Sequence, residues 1–184
     1  LLERWLGTEP VVQNFLTHAK TGEPMPEELM AQLERAATFN QGFATTEYLA
    51  SALMDLYYHT TDPSEIEPDA FERETLQRLG LPRELVMRHR SPQFAHVFSS
   101  EGYAAGYYGY MWADVLTADA SEAFQAAPKG YYDKELAGRM VELLFAPRNA
   151  MDPGEAYRAF MGRDAQIEAL MRDRGFPVPA SIGG

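Results

Sequence analysis

Cysteine is absent from the 184 residues, which excludes disulfides and thiolate metal sites. No apolar run approaches the roughly 18 residues of a membrane-spanning helix, so no membrane partner is expected. Positive charge is sparse: 16 Lys and Arg stand against 27 Asp and Glu, a formal net charge of -11. A field of that sign repels nucleic acid, and no basic cluster offsets it locally. Three signatures of chemistry are also missing: His-Glu-x-x-His, Gly-x-Ser-x-Gly and a glycine-rich phosphate loop. His18, His59 and His89 have no partner at metal-ligand spacing and read as structural or exposed. The N-terminus has neither a basic stretch nor an apolar one, and no initiator Met. Leu1 to Gly7 reads like the last turns of a helix that began earlier, so the chain is expected to be cut from a longer protein.

What is present is ordinary globular composition, 46% hydrophobic and 23% charged, with ten Tyr and ten Phe. Apolar residues recur at helical spacing in nearly every segment, and no alternating stretch argues for a strand. The expected fold class is therefore all-α. Residues 1–176 are expected to form a single multi-helix domain, and 177–184, with Pro177, Pro179 and the terminal Gly pair, a tail.

The pattern predicts helices from Thr8 to about Lys20, from Pro26, over 43–59, over 69–79 with Gly80 as terminator, and from about Ala104 to Gln125. Three more cover 134–145, 153–161 and 164–174. On the helix over 43–59, Leu49, Leu53, Leu56 and Tyr57 form the apolar stripe, joined by Ala52.

The densest signal is Phe94-Ala-His-Val-Phe-Ser-Ser-Glu-Gly-Tyr-Ala-Ala-Gly-Tyr-Tyr-Gly-Tyr-Met-Trp112. On a helix from 104, Tyr108, Met111, Trp112, Val115 and Leu116 fall on a core side. Tyr103, Tyr107, Tyr110 and Asp114 form the opposite stripe, continued by Thr117 and Ser121. A phenol is a hydrogen-bond donor on a stiff arm, and such a donor can stabilise an oxyanion in acyl transfer. Gly102, Gly106 and Gly109 each carry a helix cost of about 1 kcal/mol against Ala, which close packing, a ligand or motion must offset. The plainer readings have equal standing: a tyrosine stripe is usually a surface or a domain interface, small residues usually mark close packing, and a lone His96 is usually structural. The residues by themselves lead to an α-helical domain with a Tyr/Gly-lined face.

That block, His96 followed by a short loop and Gly102-Tyr-Ala-Ala-Gly-Tyr-Tyr-Gly-Tyr-Met-Trp112, resembles the C-terminal signature of the thimet oligopeptidase family, which includes oligopeptidase A, neurolysin and the bacterial peptidyl-dipeptidases. Leu2-Glu3-Arg4-Trp5, Thr21 to Pro26, Phe39-Asn40-Gln41-Gly42 and Ala159 to Asp164 are similar too, so the resemblance spans nearly the whole chain. It departs at Phe98-Ser-Ser-Glu-Gly102, a loop one residue longer than in the bacterial peptidyl-dipeptidases.

The resemblance implies a helical zinc peptidase that hydrolyses short peptides in a deep channel, with a peptidyl-dipeptidase preferred. Zinc and its ligands would lie outside this chain, which contributes no metal ligand and pairs with the upstream zinc-bearing part. By position, Tyr110 would donate to the tetrahedral oxyanion and Tyr103 would act beside it. His96, Gly102 and Tyr107 would bind substrate. Zinc would activate a water, with the motif Glu as base. The isolated chain is expected to be inactive and the parent enzyme cytoplasmic, with the periplasm as alternative. A reading of a different class is a non-catalytic helical module that binds a peptide or another domain.

Overall fold

The computed structural model describes residues 1–178; the Pro179 to Gly184 part of the expected tail lies outside the described residues. The α-helices are α1 Glu9–Asn14, α2 Glu27–Ala37, α3 Gln41–Thr60, α4 Pro68–Arg78, α5 Ala95–Phe98, α6 Gly109–Ala126, α7 Lys134–Met140, α8 Pro153–Met161 and α9 Glu168–Asp173. Among the described residues the extended structure is one isolated bridge, Thr17 with Pro24. The fold is all-α, as the periodicity predicts.

The sequence reading treats 1–176 as one domain. Contacts group the chain into two compact units, one of Leu1–Phe39 with Ala113–Gly184, the other of Asn40–Trp112.

In the first unit, Phe124, Met140, Tyr157 and Phe160 form the core with Ala120, and Trp5, Leu116 and Tyr131 pack against them. Trp5 meets Phe124 and Tyr131 edge-on at centroid distances of 5.1 and 4.9 Å, and its Nε1 donates to the Tyr131 carbonyl. α1 is shorter than predicted. The backbone of Leu16 and His18 pairs with Met25 and Glu23 instead, folding 16–25 back on itself around Gly22. The bounds of α8 match its local signals. Asp152 accepts the Glu155 N–H at 3.0 Å, Pro153 occupies the first turn, and Gly162 closes the helix at φ 75°. No contact crowds Gly162, so conformation alone selects glycine there. Gly162→Ala is expected to lower stability by about 1–2 kcal/mol, the left-handed penalty of an L-residue, as urea denaturation would measure.

Behind α8, Asp119 of α6 is buried, with 1% exposure. Arg163 grips both its oxygens at 2.7 Å, and the Tyr157 hydroxyl donates to it at 2.7 Å. Burial pushes the Asp119 carboxyl up, but the bonds from Arg163 and Tyr157 and the Arg163 charge outweigh it and hold the carboxyl below its usual range. Burial first, then the bond to Asp119, raises the Tyr157 phenol.

In the second unit, Met54, Phe94 and Val97 are the most buried members of a core completed by Ala50 and Met87. The buried face of α3 differs from the expected stripe: Ala50, Ser51, Ala52, Met54 and Asp55 are buried, while Leu49 is exposed. The reason lies in what α3 packs on. Small residues let the 94–107 segment approach closely, and Asp55 is buried because its carboxylate is fully bonded, as described next.

Candidate functional site

α3 and the short α5 carry the scaffold of the tyrosine-rich segment. The predicted helix from Ala104 does not form there. α6 starts at Gly109, five residues later, and Tyr103 to Tyr108 precede it as a chain of tight turns. Gly106 N–H donates to the Tyr103 carbonyl at 3.0 Å and Gly109 N–H to the Gly106 carbonyl at 3.0 Å. Ala105 sits at φ 55°, in the left-handed region.

The cause is a long-range partner that local periodicity does not report. Asp55, in the middle of α3, is fully buried, and its Oδ1 accepts the Ala105 N–H at 3.0 Å while its Oδ2 accepts the Tyr107 N–H at 2.9 Å. His59, one turn on, puts Nδ1 at 2.9 Å from Asp55 Oδ1. One turn before Ala52, the Tyr48 hydroxyl donates to the Tyr107 carbonyl and accepts the Met111 N–H at 3.1 Å. Charge-assisted bonds of this kind are roughly twice as strong as neutral ones, enough to override the weak helix preference of Ala104-Ala105.

The turns change which rings share a face. Tyr108 and Trp112, expected on the core side, are exposed, Trp112 at 67%. Tyr107, expected on the open stripe, is half-buried and meets Phe94 edge-on at 5.1 Å. Of the residues expected to continue the stripe, Asp114 pairs with Arg174 at 3.0 Å, and Ser121 is buried against the Tyr131 hydroxyl.

The segment nevertheless brings four expected residues together, in an arrangement different from a helical stripe. The His96 ring, on α5, lies 4.8 Å from the Tyr103 ring, 5.4 Å from Tyr107 and 5.7 Å from Tyr110. Its Nε2 is 2.9 Å from the Tyr110 hydroxyl. Tyr107 and Tyr110 are edge-on at 5.4 Å. Gly102 is in the turn Glu101–Tyr103 next to Tyr103, where an added Cβ would meet only Ser100 Oγ at an ordinary 3.7 Å. The glycine with a steric reason is Gly106, whose added Cβ would come within 3.3 Å of the Tyr103 carbonyl oxygen.

Tyr110, 47% exposed, and Tyr103 are both exposed, and the Tyr110 hydroxyl is paired with His96. With Nε2 protonated, His96 donates to the Tyr110 oxygen, leaving the phenol proton for an outside acceptor. With the other tautomer, Tyr110 spends its proton on His96. The pair is therefore a donor whose availability depends on the histidine. Tyr107 has both backbone groups occupied, by Asp55 and Tyr48, and has only its ring and hydroxyl to offer.

Sequence reasoning missed Asp55 and Tyr48, and read His59 only as structural or exposed without the carboxylate beside it. One signal was available: an Asp four residues before a His, in a helix otherwise apolar at those positions.

No group of three or more His, Asp or Glu side chains among the described residues is arranged to hold a metal ion. These residues do not fit a zinc site. No described helix is long and apolar enough to cross a membrane.

The comparisons with known proteins converge. The family model for peptidase family M3 matches residues 1–176. The dipeptidyl carboxypeptidase of Salmonella typhimurium is 33% identical over 177 residues, covering 94% of this chain and 25% of its own length. Oligopeptidase A of Escherichia coli is 31% identical, over 95% of this chain and 25% of its own. An Arabidopsis thaliana protein named "Probable cytosolic oligopeptidase A" is 32% identical, again over 95% and 25%. The chain thus spans about a quarter of the length of these relatives.

Proposed function

Since the chain belongs to peptidase family M3, we propose that it supplies the substrate side of a peptidase active site in a longer protein. The observation that carries this is the approach of His96 to three tyrosine rings, with its Nε2 on the Tyr110 hydroxyl.

In this reading a short peptide lies across the tyrosine face. As its scissile carbonyl becomes tetrahedral, the oxygen gains negative charge, and Tyr110 donates its phenol proton to that oxygen as a hydrogen bond. His96, donating from Nε2 to the Tyr110 oxygen, turns the phenol proton outward. Tyr103 acts beside Tyr110 on the peptide carbonyl or backbone. His96, Gly102 and Tyr107 bind substrate, Tyr107 through its ring and hydroxyl. Zinc dependence is a property of the family, and the reading assigns the metal and its ligands to residues outside these 184; the isolated chain is inactive.

The reading commits to release of dipeptides from free C-termini, which fits the 33% identity to a dipeptidyl carboxypeptidase. It also commits to the cytoplasm, in keeping with a relative named as cytosolic. The test is to express the protein at the full length of its relatives and, with zinc present, give it peptides with free and with amidated C-termini. Mass spectrometry should find dipeptides lost from the free C-terminus alone. Internal cleavage of both peptides would make it an oligopeptidase, and no cleavage of either would leave the tyrosine face a binding surface.

A further inference from the structure

The path from Tyr103 to Tyr110 is held against its own preference. Ala105 is an L-residue at φ 55°, a conformation that costs of the order of 1 kcal/mol or more and persists only when the surroundings over-determine it. The surroundings here are one face of α3. Tyr48, Asp55 and His59 stand at spacings 0, 7 and 11, a single stripe. Asp55 fixes the amides on either side of Gly106, and Tyr48 fixes the Tyr107 carbonyl and the Met111 amide. Tyr110 lies between those last two anchors, and its hydroxyl reaches His96 only if the turns before it keep their shape.

A carboxylate with no exposed surface is expensive to bury, and on this face of α3 an apolar side chain would pack at lower cost. The carboxylate does what no apolar residue can. It accepts two amides at once, two residues apart, while His59 Nδ1, bonded to the Asp55 backbone carbonyl at 2.8 Å, packs 2.9 Å from Oδ1. We infer that Asp55, buttressed by His59, is a positioning residue: by clamping the turn at Ala105 and Tyr107 it sets the Tyr110–His96 pair in the geometry that the reaction uses. The inference rests on the reading of Tyr110 given above, and the experiment separates the two.

Asp55→Asn is the sharp variant. It keeps the shape and one acceptor oxygen but turns an NH2 toward one of the two amides, donor against donor. In the full-length peptidase it is expected to lower kcat about tenfold with KM little changed, and to add no further loss in a Tyr110→Phe background, because a residue that acts through Tyr110 has nothing left to act on. An equal tenfold loss in both backgrounds, or no loss, would overturn the inference. His59→Gln, which leaves both amide bonds in place, is expected to lower kcat about twofold, again only when Tyr110 is present; it serves if Asp55→Asn fails to fold. A second readout needs no activity: the nitrogen-15 shift of the His96 Nε2 in the full-length protein. Asp55→Asn, or His59→Gln in the same direction, should move it toward the value of Tyr110→Phe. An unmoved shift would sink the positioning role even if the protein proved not to be a peptidase. A moved shift in a protein without peptidase activity would keep the positioning and discard the reaction.

Discussion

Tyr110→Phe is expected to reduce kcat of the full-length peptidase by 10²- to 10³-fold, the loss of about 2.7–4 kcal/mol that follows removal of one preorganised oxyanion donor. The change removes one oxygen and nothing else. The ring keeps its edge-on contact with Tyr107 at 5.4 Å and its place beside His96, so the fold should be almost undisturbed. KM should change little, because the donor meets a charge that exists only in the transition state. Rates over a range of peptide concentrations check both statements, and a thermal melt within a degree or two of the native one checks the third. A kcat near the native value would show that the Tyr110 proton is never given to the reacting carbonyl. A raised KM at constant kcat would make Tyr110 a ground-state binding group instead.

Arg163→Ala is expected to be the most destabilising of the single substitutions considered, at about 3 kcal/mol near neutral pH, because it leaves a buried carboxylate without its cation. Asp119 would retain only the bonds from the Tyr157 hydroxyl and the Gln166 backbone N–H against its burial. The figure is at the low end of the range for broken buried pairs since Arg163 itself is 37% exposed and shares its charge with solvent. The pH dependence has a definite sign. The Asp119 carboxyl is held below its ordinary value of about 3.8–3.9 in the folded chain. Its ionised form therefore stabilises the fold fully above that ordinary value. The contribution is lost as pH falls through the folded value. The gap between native and Arg163→Ala should accordingly be widest near pH 7 and narrow below about pH 4. Urea denaturation at pH 7 and pH 3 measures it, and a gap that stays constant between the two would contradict the assignment of the effect to this carboxylate.

What could be read from the residues depended on how far away the deciding partner was. α8 was legible to its ends because every signal, Asp152, Pro153 and Gly162, is within the helix or next to it. α3 was legible in extent but not in face. Its length follows from local periodicity, whereas Met54 rather than Leu53 or Leu56 faces the core because of what Phe94 and Val97 bring from forty residues on. The start of α6 was misplaced by five residues for the same reason: Ala104 and Ala105 favour a helix locally, and Asp55, fifty residues earlier, takes their amides out of it. The candidate site shows both sides of this. His96 and the tyrosines were visible as residue types in one short stretch, and they do gather. Their supposed common helical face does not exist, and the carboxylate that replaces it as organiser looked like an ordinary polar position.

The division of the chain into a unit made from both its ends and a unit made from its middle has a consequence for the ribosome. Residues 40–112 hold their own core, so this stretch is complete as soon as it has left the exit tunnel. The first 39 residues cannot finish. Trp5 waits for Phe124 and for Tyr131, which is 126 positions further along. At about 5–20 residues per second that is a delay of roughly 6–25 s, during which the earliest part of this segment to be made is the last to be buried. Trp5 is on offer to chaperones throughout that interval, and slow synthesis between residues 40 and 131 lengthens its exposure without affecting the unit that carries His96 and its three tyrosines.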